Sequence, residues 1–147
     1  MQEPLSGTEE RSTSLGRRKF VAKDYETMQK WWEKWHKDGA PPPWVLPKTG
    51  IMIEVNGEDA AFGFLYNTDS GVCVFEWFCG NPFMNKKDRE MALDYLIDCA
   101  KEWAEKAGYG LIYSSCGIQR YINRVKSKGF KDVSKNQTHL FCHVGEE

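Results

Sequence analysis

Apolar and polar positions along the chain fall into short alternating runs and two longer stripes of helical period. Arg18-Lys19-Phe20-Val21-Ala22 predicts a first strand. Asp24 then stands where it can cap a helix from Tyr25 to Lys37, in which Met28, Trp31, Trp32 and Trp35 recur at three- and four-residue spacing. Gly39 predicts its end, and the proline-rich stretch Ala40 to Pro47 predicts an extended connector lying against the body. Ile51, Ile53 and Val55 alternate up to Asn56-Gly57, a pair suited to a tight hairpin. Ala60, Phe62, Phe64 and Tyr66 alternate up to Asn67-Thr68-Asp69-Ser70-Gly71, which feeds the apolar run Val72 to Cys79. A three-stranded antiparallel meander follows.

Between Lys87 and Ala107 a stripe of Leu93, Leu96, Ile97, Ala100, Trp103, Ala104 and Ala107 lies opposite Glu and Lys, and Gly108 closes the helix. The next run, Tyr109 to Ser115, predicts a short buried strand. A strand reached through a long helix is expected to lie parallel to the one before it, by a right-handed crossover onto the 72–79 strand. Ile118 to Lys128 predicts a second amphipathic helix ending at Gly129-Phe130, and Val133 with Thr138 to Val144 predicts a closing strand or hairpin. The fold class is therefore α+β, with a mixed, mostly antiparallel sheet and helices on both faces.

With 147 residues, 41% hydrophobic, the chain can bury one core. Met1 to Gly16 offers little to bury and is expected to be a flexible tail, leaving residues 17–147 as a single domain. A net charge of -1 supplies no general field for nucleic acid; a nucleic-acid reading draws only on Arg17-Arg18-Lys19 and Arg120, Arg124, Lys126 and Lys128. Five cysteines without a Cys-x-x-Cys pair suggest thiols in a reducing compartment. No run approaches the roughly 20 apolar residues of a membrane span, and there is no apolar signal core, so a cytoplasmic location is expected. Asn136-Gln137-Thr138, a glycosylation-type triplet, is then a chance match.

Glu76 is the first candidate for chemistry. A carboxylate among Val74, Phe75, Trp77 and Phe78 loses solvation in its charged form, which would raise its pKa toward that of a working general base, whereas an exposed edge position or an ion pair would leave it inert. Cys116, between a strand and a helix, has the place of a nucleophile, but no histidine is tied to it by sequence and an inert thiol is the simpler reading. His139, Cys142 and His143 fail as a metal set, because neighbours at 142 and 143 point to opposite faces of a strand and no fourth ligand accompanies them. Trp31, Trp32, Trp35 and Trp44 suit core packing, or in part a pocket lining.

The element order, Glu76 on the fourth strand, the loop Gly80 to Arg89 before the long helix, and Lys128-Gly129-Phe130 together resemble the GNAT family of acyl-CoA-dependent N-acyltransferases over about Arg17 to Val144. The chain is also similar to short GNAT-like proteins of tailed phages. The resemblance implies a fourth and fifth strand splayed into a V that receives the pantetheine arm. It implies acetyl-CoA as acyl donor, cradled by Phe78, Cys79, Gly80, Asn85, Lys86, Lys87, Asp88 and Arg89. Glu76 would be the base, Tyr121 the substitute proton donor, and Trp32, Trp44 and His139 would face the amine acceptor, a small molecule or a protein. Two departures stand out. Lys86, Asp88 and Glu90 occupy places where the family has small residues, and Val125 replaces the family's tyrosine before Gly-Phe. The alternative is a catalytically inactive GNAT-fold module, such as a viral accessory or virion protein, acting through a protein partner or as a homodimer.

Overall fold

The computed structural model describes residues 13–145. Strands β1 (Leu15–Lys19), β2 (Thr49–Val55), β3 (Glu58–Tyr66), β4 (Val72–Gly80) and β5 (Leu111–Tyr113) form one sheet in that order. The first four pair antiparallel, and β5 joins β4 parallel. The helices are α1 (Tyr25–Trp35), α2 (Lys86–Lys106) and α3 (Gln119–Ser127). The chain divides into two compact units, one ending at Ser115 and one beginning at Cys116, so α3 belongs to the second.

In the first unit α1 and α2 lie on opposite faces of the sheet. Met28, Trp31 and Trp32 of α1 pack on Met52, Phe62, Phe64 and Cys79. Trp31 stacks on Phe62 at 5.6 Å, and Phe20 meets Phe64 edge-on at 4.7 Å. The intervening residues Ala61, Leu65 and Phe75 point the other way, toward Leu96, Ile97 and Ala100 of α2. Gly63 is required on that side, because a Cβ there would stand 2.7 Å from Phe75 Cε1 and 3.3 Å from Leu96 Cδ2. The meander turns at Asn56-Gly57 with φ of 51° and 83°, the left-handed pair that a two-residue hairpin needs.

Several boundaries differ from the sequence reading. β1 starts at Leu15 and ends at Lys19, earlier than expected, because Val21 enters a 3₁₀ turn in which its N–H donates to the Asp24 carboxylate at 2.8 Å. Asp24 therefore does not cap α1. That helix stops at Trp35, where His36 is already extended (φ -130°, ψ 150°). The proline connector is held against the body, as expected, by Tyr25 and Tyr66 hydroxyls donating to the carbonyls of Pro41 and Val45 at 2.7 and 2.9 Å. β5 is shorter than expected and not buried: at the sheet margin Leu111 and Tyr113 remain 56% and 45% exposed. The closing strand does not form among the described residues. Val133, Leu140, Phe141 and Val144 are exposed, since an apolar run makes a strand only where a ladder partner is present.

Arg18 ties the start of the domain together. Its guanidinium donates to both oxygens of buried Asp24 at 2.9 and 3.0 Å, to Glu54 at 3.1 Å and to Asp59 at 3.2 Å. The Arg18 bonds to Asp24, with the Val21 N–H, hold the Asp24 carboxyl below its ordinary value of 3.8, against the opposing effect of burial. A carboxyl whose folded pKa is depressed adds stability above its unfolded pKa and loses it as pH falls through the folded one. Arg18→Met is expected to cost about 2–4 kcal/mol at pH 7 by leaving Asp24 buried and unpaired. The gap to wild type should narrow below about pH 4, and urea unfolding at pH 7 and pH 3 measures it; an equal gap at both would count against the pairing.

Candidate active site

The site is shaped by a bulge in β4. Phe64 pairs with Glu76 and Phe62 with Cys79, so Trp77 and Phe78 together oppose Gly63. Trp77 takes φ of 57°, rare for a bulky residue. It is held there by its indole N–H donating to the Tyr66 hydroxyl at 2.7 Å and by packing 5.9 Å from Trp32. The extra residue resets the alternation: Glu76 opposite Phe64, Trp77 and Cys79 all belong to the α1 side.

On its other edge β4 pairs with β5 only at Val72–Leu111, Cys73–Ile112 and Val74–Tyr113. The ladder ends at Val74–Tyr113. The fourth and fifth strands thus pair in parallel over three residues, at the place where the resemblance implied a V. Glu76 stands where the ladder has just ended. Its Oε2 accepts from the Ser115 N–H at 3.0 Å and from the Ser115 hydroxyl at 3.0 Å. Glu76 and Ser115 are 39 residues apart, the same offset as Val74 and Tyr113, so the side chain takes the donor that a β4 carbonyl would have taken had the ladder continued. The carboxylate is thus half-buried and hydrogen-bonded, not stranded among apolar groups as its sequence neighbours suggested.

The loop after β4 is fixed by Asn81, which is buried. Its Nδ2 donates to the Asp59 carbonyl at 2.9 Å, and its Oδ1 accepts the Phe83 N–H at 2.8 Å. Asn85 caps α2 by accepting the Asp88 N–H at 2.9 Å, and its own amide donates to the Asp88 carboxylate at 3.0 Å. The N–H groups of Lys86 and Lys87, in the first turn, have no hydrogen-bond partner among the described residues and carry the positive end of the helix. Arg89 is turned inward: its guanidinium donates to the Met84 carbonyl at 3.0 Å and lies 5.3 Å from the Trp35 ring. Gly80 makes room for it, since a Cβ would stand 2.8 Å from Arg89 Cγ. The Gly80 carbonyl accepts the Trp35 indole N–H at 2.8 Å. Burial pushes the Cys79 thiol up to about 12, so it is no nucleophile.

The candidate residues are thus only partly brought together. Glu76, Phe78, Cys79 and Gly80 lie along β4, and Asn85 to Arg89 open α2. Phe78 stacks on Phe75 at 5.4 Å. Trp32 is buried and stacked on His36 at 4.4 Å, while Trp44 is 75% exposed. Tyr121, half-buried on α3, and His139, exposed after it, belong to the second unit. No group of three His, Cys, Asp or Glu residues suited to a metal occurs among the described residues, and no helix there is long and apolar enough to cross a membrane. Sequence reasoning missed Ser115, Tyr66 and His36. Only the strand register picks out Ser115, and the sequence does not fix that register.

No family model matches the chain, and no curated protein matches it. Solved structures do. The ribosomal-protein-S18-alanine N-acetyltransferase from Escherichia coli superposes with a TM-score of 0.62 at 16% identity, over 82% of this chain and 80% of that one. The fold is that of the GNAT N-acetyltransferases. An aminoglycoside N-acetyltransferase in complex with CoA gives a TM-score of 0.60 at 13% identity, over 89% and 97% of the two chains. A transcriptional regulator from Bacillus halodurans gives 0.63 at 15%, over 87% and 100%. At these identities the GNAT likeness is one of architecture.

Two outcomes follow from this geometry. Asn85→Ala is expected to lower stability by about 1 kcal/mol through loss of the cap, read as a fall in Tm of a few degrees. In the native protein, alkylation at pH 8 followed by peptide mass mapping should label exposed Cys142 first and leave buried Cys73, Cys79 and Cys99 unmodified until denaturant is added. Fast labelling of Cys79 would contradict its burial.

Proposed function

We propose that the protein is an N-acyltransferase that moves an acyl group, acetyl, from acetyl-CoA to a primary amine, with Glu76 as general base. The observation that carries this reading is the Glu76 carboxylate held by Ser115 at the point where the β4–β5 ladder ends. The pantetheine arm of the donor would run along the end of β4, past Phe78, Cys79 and Gly80. The pyrophosphate would meet the open N–H groups of Lys86 and Lys87 and the dipole of α2, with Asn85 fixing the turn. Asp88 opposes that charge and Arg89 is engaged elsewhere, so affinity for CoA should be modest. Acetyl-CoA supplies the acyl thioester. Glu76 takes a proton from the ammonium of the acceptor, the freed nitrogen bonds to the acyl carbon, and the carbon–sulfur bond breaks. The nitrogen's second proton leaves to solvent and the departing thiolate is protonated from solvent, while Trp32 and Trp44 are the proposed selectors of the amine.

A second reading rests on a different observation. Trp35 occupies the Gly80 carbonyl and Arg89 fills the space behind it, which suits a closed, non-catalytic module binding a protein partner.

Steady-state release of CoA thiol over a panel of primary amines separates the two readings. Glu76→Gln keeps an acceptor for both Ser115 bonds but removes the base, so kcat should fall about 10²–10⁴-fold with little change in Tm. Ser115→Ala should lower kcat less, because the backbone N–H remains. Absence of turnover with every amine, together with no rise in Tm at millimolar acetyl-CoA, would favour the module.

A further inference from the structure

The far end of α2 holds a second concave surface. A groove of about 470 Å³ runs between edge strand β1, the start of β2 and the last turns of α2. Its floor is Ile51, Cys99 and Trp103, and its walls carry Arg17, Lys19, Lys48 and Lys106 against the single carboxylate of Glu102. This concentration of cations occurs in a chain of net charge -1. Glu102 is shared: it accepts from Arg17 at 2.9 Å and from Lys106 at 3.1 Å. Lys19 and Lys48 have no counter-ion among the described residues, so the groove keeps an uncompensated positive charge beside an apolar floor.

Strand alternation explains how the charges gather. Arg17 and Lys19 pair with Ile53 and Ile51, which face α2, whereas Arg18 between them pairs with Met52 and points to the opposite face. One strand thus sends a cation to each of two neighbouring positions above α2 and a third to the Asp24 cluster. Like charges held together without a counter-ion cost stability, and a bound anion removes that cost. The 21 residues of α2 span about 30 Å, so this groove and the Lys86 end of the helix are far apart.

We propose that the groove binds a small organic phosphate, its phosphate on Lys19, Lys48 and Arg17 and its apolar or ring-bearing part on Ile51, Cys99 and Trp103. The cationic rim matches the phosphate, and the floor, which a bare ion would leave uncovered, matches the organic part. This site is independent of the proposed acyl transfer.

Titration of the ¹⁵N-labelled full chain with adenosine 5′-phosphate, with a short-chain lysophosphatidic acid and with inorganic phosphate tests it. Amide shifts at Lys19, Lys48, Thr49 and Lys106 are expected with at least one organic probe, at an affinity tenfold or more above inorganic phosphate. The probe that binds distinguishes a nucleotide from a lipid source. The double variant Lys19→Glu, Lys48→Glu changes only exposed side chains; it should keep its Tm and weaken binding at least tenfold. Shifts confined to residues 75–87, equal affinity for inorganic phosphate, an unaffected double variant, or no shift at 10 mM of any probe would each overturn the proposal.

Discussion

The bulge at Trp77 is the constraint on which the rest depends. Without the extra residue β4 would keep strict alternation, and Glu76 and Trp77 could not both serve the α1 side of the sheet. The bulge places a tryptophan at positive φ, a conformation of order 1–3 kcal/mol above the ordinary ones. The offset comes from the chain of hydrogen bonds from the Trp77 indole to the Tyr66 hydroxyl and on to the Val45 carbonyl. The proline connector, which reads as a mere link, therefore helps support the conformation of the candidate site.

The start of α2 shows two demands on the same residues. Stability asks for a capped helix, and Asn85 with Asp88 supplies one. Anion binding asks for open N–H groups and no nearby carboxylate, and Asp88 works against it. Two amides, those of Lys86 and Lys87, stay open among the described residues. Arg89, which by sequence counts as a phosphate ligand, instead closes the loop from within by bonding the Met84 carbonyl.

What was legible in the sequence was whatever depends on neighbours along the chain. The Asn56-Gly57 hairpin, the meander and the α2 stripe each follow from local pattern and turn chemistry, and the parallel crossover follows from the helix between β4 and β5. The rest depends on partners distant in sequence. Thr138 to Val144 has the apolar content of a strand, yet no ladder receives it among the described residues. Ser115 becomes important only through a register of 39 residues that nothing in its own neighbourhood encodes. Glu76 looked stranded among Phe and Trp because the sequence does not reveal the donors that face it.

The central claim is that the end of the β4–β5 ladder is where acyl-CoA and the Glu76 carboxylate meet. Hydrogen–deuterium exchange of the full chain, with and without saturating acetyl-CoA, tests it most directly. The account predicts slowed exchange confined to the amides of residues 75–80 and of Lys86 and Lys87. Unchanged exchange at those amides, or protection only elsewhere in the chain, would contradict it.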